Sequence, residues 1–179
     1  AAHSYILRAF VYDERKQYDL AFADYNKAIE IDPKSAKYYA WRAAAYQRSK
    51  HYDLAEKDYQ KAIELEPKKQ DYYKKLADLY MEQNKYDLAE TQYTKVIEAN
   101  PTSSEVYYDR GSFYQKQEKY DLAIGDLKKA VELKPDDFSP LYSLKSSYQE
   151  YGNFDLAISD YTELIQKYPT TIRFYQDRA

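Results

Sequence analysis

Cysteine is absent from the 179 residues, glycine occurs three times, histidine twice, and methionine and tryptophan once each. Without cysteine there is no disulfide framework and no thiolate metal site. The same absence leaves the cellular compartment open. The two histidines, His3 and His51, would need carboxylates from several segments to hold a metal, and no spacing in the chain brings such a set together. So few glycines leave no room for a Gly-rich phosphate loop, and there is no nucleophile elbow. No catalytic set, no metal and no cofactor is expected. No apolar run reaches the roughly 18 residues that a membrane span needs, and Ala1 to Phe10 lack the charged-then-apolar layout of a signal peptide. Charge of one sign is missing too: 27 basic residues face 30 acidic ones, for a formal net charge of −3. Nucleic acid is not an expected partner, because its binders gather Lys and Arg on one face.

What the chain has in quantity is tyrosine, 24 residues of it, within a composition that is 44% hydrophobic and 32% charged. That is enough apolar surface for a packed core and argues against disorder. The order is stricter than the composition. Tyr18-Asp19-Leu20-Ala21 returns at Tyr52, Tyr86 and Tyr120 and, with Phe in front, at Phe154. Pro33, Pro67, Pro101, Pro135 and Pro169 keep the same 34-residue beat. A fixed period of this size marks a repeat array, in which each unit buries its apolar face by stacking on its neighbours. One domain over residues 1–179 is expected, with units 2–35, 36–69, 70–103, 104–137 and 138–171 and a partial sixth at 172–179.

Within the second unit, Tyr39, Arg42, Ala43 and Tyr46 fall at i, i+3, i+4 and i+7, one face of a helix. After the polar break Arg48-Ser49-Lys50-His51, a second helical series runs Tyr52, Ala55, Tyr59, Ala62 and Ile63. Asp53 lies in the first turn of that helix, where a carboxylate meets the positive end of the dipole, and Pro67 stops it. Each unit therefore predicts two helices of roughly 13 residues joined by a short turn. Asp19 and its four counterparts recur at every second-helix start, which makes them architectural and not catalytic.

This pattern resembles the tetratricopeptide repeat, carried in the second unit by Tyr39, Ala43, Tyr46, Ala55, Tyr59, Ala62 and Pro67. The fourth unit carries it in Tyr107, Gly111, Tyr114, Ala123, Leu127, Ala130 and Pro135. The resemblance implies an all-α, right-handed superhelical solenoid of stacked antiparallel helix pairs. It also implies a non-catalytic scaffold for protein interactions, in which the first helix of each pair lines an inner surface that binds a partner peptide or segment. Self-association through the terminal repeats, or service as the targeting or regulatory region of a larger protein, are the alternatives.

The column Ala9, Ala43, Ala77 and Gly111 lets helices approach closely against Ala21, Ala55, Ala89 and Ala123. Lys145 breaks it, in a unit that also has Leu141 where the others carry Tyr and Ser147 where they carry Val11, Ala45, Leu79 and Phe113. Either Lys145 snorkels outward or this joint is weakened. The binding candidates are the first-helix residues left over from packing. Units one and two offer Ile6, Phe10, Ala40 and Ala44 as an apolar floor, beside Lys37; unit three adds Lys74 in a mixed-charge stretch with Asp71 and Asp78. Units four and five present Glu105, Tyr108, Ser112 and Gln115 then Ser139, Tyr142, Ser146 and Gln149, in which Tyr, Ser and Gln recur in step, suited to stacking and to hydrogen bonds with a peptide backbone. Repeats of this kind that capture acidic chaperone tails use Asn in the column held here by Phe10, Ala44, Asp78, Ser112 and Ser146. None is Asn, so that activity is not implied.

Overall fold

The computed structural model describes residues 1–169. Among them are ten α-helices: α1 (Ala2–Glu14), α2 (Tyr18–Ile31), α3 (Ala36–Arg48), α4 (Tyr52–Leu65), α5 (Gln70–Glu82), α6 (Tyr86–Ala99), α7 (Ser104–Gln115), α8 (Tyr120–Leu133), α9 (Phe138–Tyr151) and α10 (Phe154–Lys167). The partial sixth unit, with Ile172, Phe174 and Tyr175, lies outside the described residues. The helices gather into two compact units, Ala1–Val96 and the chain from Ile97 onward.

The turn inside each helix pair is closed by the backbone. In the second repeat His51 N–H reaches back to the Tyr46 carbonyl at 2.8 Å and Lys50 N–H to Gln47 at 2.9 Å. This is the Schellman arrangement, which needs a left-handed residue just past the helix end. That residue is Lys16, Lys50, Asn84, Glu118 and Gly152 in successive repeats, with φ between 58° and 71°. Only the last is glycine, the residue that takes this conformation without steric cost. The second helix then starts at once, with Asp19, Asp53, Asp87, Asp121 or Asp155 in its first turn. At the junctions between repeats, the Tyr39 hydroxyl donates to the Pro33 carbonyl at 3.2 Å and the Tyr73 hydroxyl to Pro67 at 3.0 Å. The tyrosine and proline columns are thus two ends of one contact.

In the first unit the small-residue column is fully buried at Ala9, Ala43 and Ala77, against Ala21, Ala55 and Ala89. Tyr25 and Tyr59 fill the space beside it. A second column crosses each pair. Arg8 Nε and Nη2 grip the Asp24 carboxylate at 2.6 and 2.7 Å, and Arg42 grips Asp58 at 2.7 Å through both nitrogens. The third repeat has Leu76 and Gln92 at these places, both buried, so cation and anion are replaced together. Neighbouring repeats are stapled near the ends of their first helices: Arg48 pairs with the buried Asp13, and Gln47 donates to Glu82 at 2.9 Å. Phe22 packs on Tyr46 with ring centroids 4.3 Å apart.

In the second unit, a Cβ on Gly111 would stand 2.7 Å from Leu127 Cγ, so α7 and α8 meet here with no room for a side chain. Arg110 holds Asp126 at 2.6 and 2.8 Å. The fifth repeat has Leu144 in the arginine column, and its Asp160 is held instead by Lys128 at 2.7 Å and by the Tyr148 hydroxyl at 2.6 Å. Leu141 and Ser147 are buried, and the Ser147 hydroxyl has no hydrogen-bond partner among the described residues. An unsatisfied buried hydroxyl costs stability, which makes this the less well satisfied joint of the unit.

Candidate functional site

Helix spacing decides which first-helix residues packing consumes and which it leaves. In the first unit the apolar floor expected from the sequence is largely core. Ile6 is fully buried in a cluster with Ala9, Ala21, Tyr25, Ala28 and Ala45, and Ala40 is buried as well. Ile6 is therefore not a surface residue: the rings of Phe10, Tyr38 and Trp41 close over that cluster. Phe10 stays half-buried, edge-on to Trp41 at 5.2 Å and to Tyr25 at 6.0 Å. Lys37 is exposed and Lys74 half-buried. His51 sits exposed in its turn, with Nδ1 2.9 Å from the Ser49 hydroxyl.

In the second unit α7 and α9 lie side by side, joined where the Gln115 amide donates to the Ser143 carbonyl at 3.0 Å. Tyr108, Ser112, Gln115 and Ser146 are half-buried, and Gln149 is exposed. Tyr142 is 63% exposed and stacks on Phe138, itself 51% exposed, with centroids 6.0 Å apart and planes 18° from parallel. The two repeats are therefore not equivalent in detail. Tyr108 forms part of a wall, whereas Tyr142 stands out with an apolar ring beneath it.

Next to Tyr108 is a cleft of about 380 Å³, lined on the α7 side by Ser104, Glu105 and Tyr108. Across it lie Lys134, Asp137, Ser139 and Pro140. Asp137 caps α9 by accepting from Ser139 N–H at 3.1 Å and pairs with Lys134 at 3.2 Å. The backbone bond first, then the lysine, holds its carboxyl below the ordinary aspartate value. The Ser104 hydroxyl is spent on the Ala130 carbonyl at 2.9 Å. Sequence reasoning marked Glu105, Tyr108 and Ser139 on the helices but missed Lys134 and Asp137, which belong to the turn before α9 with no helical period to read. Among the described residues no group of histidine and acidic side chains is arranged to hold a metal ion, and no helix is long and apolar enough to cross a membrane.

No curated protein matches the chain in sequence. Solved structures do match in fold. A tetratricopeptide repeat protein from Parabacteroides merdae aligns over 99% of this chain and 70% of its own, with TM-score 0.69 and 19% identity. MamA aligns over 96% of this chain and 94% of its own, with TM-score 0.65 and 19% identity. YrrB, a repeat protein with an unusual peptide-binding site, aligns over 98% and 91%, with TM-score 0.59 and 20% identity. At such identities the likeness shows the fold, an all-helical repeat solenoid. Models of the tetratricopeptide repeat match residues 11–50, 36–69, 74–138 and 146–171. With the 34-residue period, the helix pairs and, in the first four repeats, the small-residue column in place, the chain belongs to the tetratricopeptide repeat family.

Proposed function

We propose that this interaction scaffold holds a segment of a partner protein against α7 and α9, with Tyr108 and Tyr142 as its anchors. The observation that carries the reading is the repeated Tyr-Ser-Gln row on two adjacent helices, which packing leaves wholly or partly open. Aromatic rings supply contact area at low entropic cost, while serine and glutamine supply adaptable hydrogen bonds. Ser112, Ser146 and Gln149 complete the row, and Phe10, Lys37 and Lys74 belong to the same proposal for the first helices of the first unit. YrrB, of like fold, has a peptide-binding site, which supports this class of ligand. The repeats of residues 2–171 act in this reading as one array, without catalysis.

The test places a photo-crosslinking amino acid at Ser112 or Ser146 and, as a control, at Gly125, which is exposed on α8 with open space around it. A partner captured from lysate should crosslink from the first two positions and not from the third. Crosslinking from Gly125 alone would move the site off this face.

A second reading, self-association, draws on Leu7 and Val11 of α1, which are 54% and 49% exposed, whereas Ala45 and Leu79, the counterparts of Val11 in the next two repeats, are fully buried. Light scattering that rises with concentration, and a Val11→Glu chain that stays monomeric, would favour it; a single mass at all concentrations would exclude it.

A further inference from the structure

The chain grips its own arginines by one repeated device, a carboxylate in line with the guanidinium and tyrosine rings beside it. The Arg42 guanidinium lies 5.8 Å from the ring centres of both Tyr39 and Tyr46 while it holds Asp58. Arg8 lies 5.7 Å from Tyr5 and 5.9 Å from Tyr12 while it holds Asp24, and Arg110 lies 5.8 Å from Tyr114 while it holds Asp126. Glu105 and Tyr108 bring the same two groups together at the cleft. They stand three residues apart on α7 and so share a helix face. Neither has a hydrogen bond or ion pair within the described residues. The other two charges of the cleft, Lys134 and Asp137, neutralise each other. What remains is the Glu105 carboxylate, beside a tyrosine and without a side-chain cation of its own, its charge met only in part by the positive end of α7.

From this the geometry points to a cationic side chain, arginine before lysine, as what the partner segment places in the cleft. An anion would meet Glu105, and an apolar group would strip water from that carboxylate without replacing its hydrogen bonds. A planar guanidinium stacks on the ring and pairs with the carboxylate at once, which an ammonium does less well. The volume of about 380 Å³ lies at the low end of the roughly 300 to 1,000 Å³ of small-ligand sites, which suits one long side chain and not a whole domain. This inference rests on the reading of the α7–α9 face as a peptide site.

The test titrates the full chain, followed by amide NMR, with a capped Ala-Ala-Arg-Ala-Ala peptide and with its citrulline twin, which keeps the shape and removes the charge. The arginine peptide should shift the signals of Ser104, Glu105 and Tyr108 saturably, and the citrulline peptide should bind at least about fivefold more weakly. Glu105→Gln, an exposed and conservative change, should bring the arginine peptide down to the level of its twin. Equal binding of the two peptides, tighter binding of a glutamate twin, or shifts that avoid these residues would each overturn the proposal. The two readings fail separately. A captured partner that is weakened by Tyr142→Ala and indifferent to Glu105→Gln keeps the face and removes the arginine; crosslinking away from the face, with the arginine peptide still seated at Glu105, does the reverse.

Discussion

Arg42 and Asp58, sixteen residues apart, meet in a two-pronged ion pair at 2.7 Å with side chains 18% and 9% exposed. The pair joins the two helices of the second repeat, and its counterparts do so in the first and fourth. Removing one partner strands a charge in a site that water scarcely reaches. Asp58→Ala should therefore cost about 3 kcal/mol, read as a lower midpoint in urea. The third repeat shows how the site works without charge, through Leu76 and Gln92. The double change Arg42→Leu, Asp58→Gln should recover to within about 1 kcal/mol of the parent. A double variant no better than Asp58→Ala would refute the equivalence of the two solutions.

The closeness of α7 and α8 at Gly111 gives a second expectation. Leucine there would drive its side chain into Leu127 and should cost about 3 kcal/mol by overpacking. Strain in a repeat array passes only through neighbouring interfaces, so hydrogen exchange should quicken in α7, α8 and α9 and remain unchanged in α1 and α2. Uniform loss of protection, or none, would contradict this.

At the intra-repeat turns, Lys50 holds φ of 63°, where a side chain on Cα costs energy that glycine avoids. Lys50→Gly should stabilise by about 1 kcal/mol, seen as a raised thermal midpoint, whereas Gly152→Lys should destabilise by a similar amount. A lowered midpoint for Lys50→Gly would show that the lysine side chain makes an interaction worth more than the strain.

These three sites differ in how far the sequence announced them. The period, the helix pairs, the stop at each proline and the small-residue column were all legible, because a 34-residue repeat prints every packing requirement several times over. The arginine–aspartate pair was printed as well, three times at a constant separation of sixteen, and lost from both partners in the third repeat. It escaped because Arg42 was assigned to a packing arc and Asp58 was never set against it. Ile6 was misplaced for a different reason: helical angle alone cannot tell a floor residue from one that neighbouring rings of Phe10 and Trp41 have closed over. The cleft at Glu105 was legible only in its helical part, Glu105, Tyr108 and Ser139, because Lys134 and Asp137 come from the turn before α9, which has no period.

Buried tyrosines set the response to alkali. Burial first, then a hydrogen bond to Glu56, pushes Tyr80 up to about 12 from 10.0, and burial with the nearby Glu66 does the same for Tyr72. Burial likewise raises Tyr25 and Tyr59. A group whose folded value lies above its unfolded one binds its proton more tightly when folded, so its contribution is whole below pH 10 and is lost as pH climbs toward about 12. The thermal midpoint should hold steady up to about pH 9 and fall steeply between about 10 and 12. The phenolate absorbance of Tyr25, Tyr59, Tyr72 and Tyr80 should rise together with unfolding; ionisation of these four well before the helices melt would contradict their burial.

The central claim is that Tyr108 and Tyr142 anchor a partner segment on α7 and α9. Calorimetric titration of a captured partner segment against the Tyr108→Ala, Tyr142→Ala chain tests it most directly. The account predicts a loss of about 2 kcal/mol or more in binding, the scale of aromatic hot spots, with circular dichroism nearly unchanged because neither ring is in the buried core. Parental affinity in that double variant would contradict it.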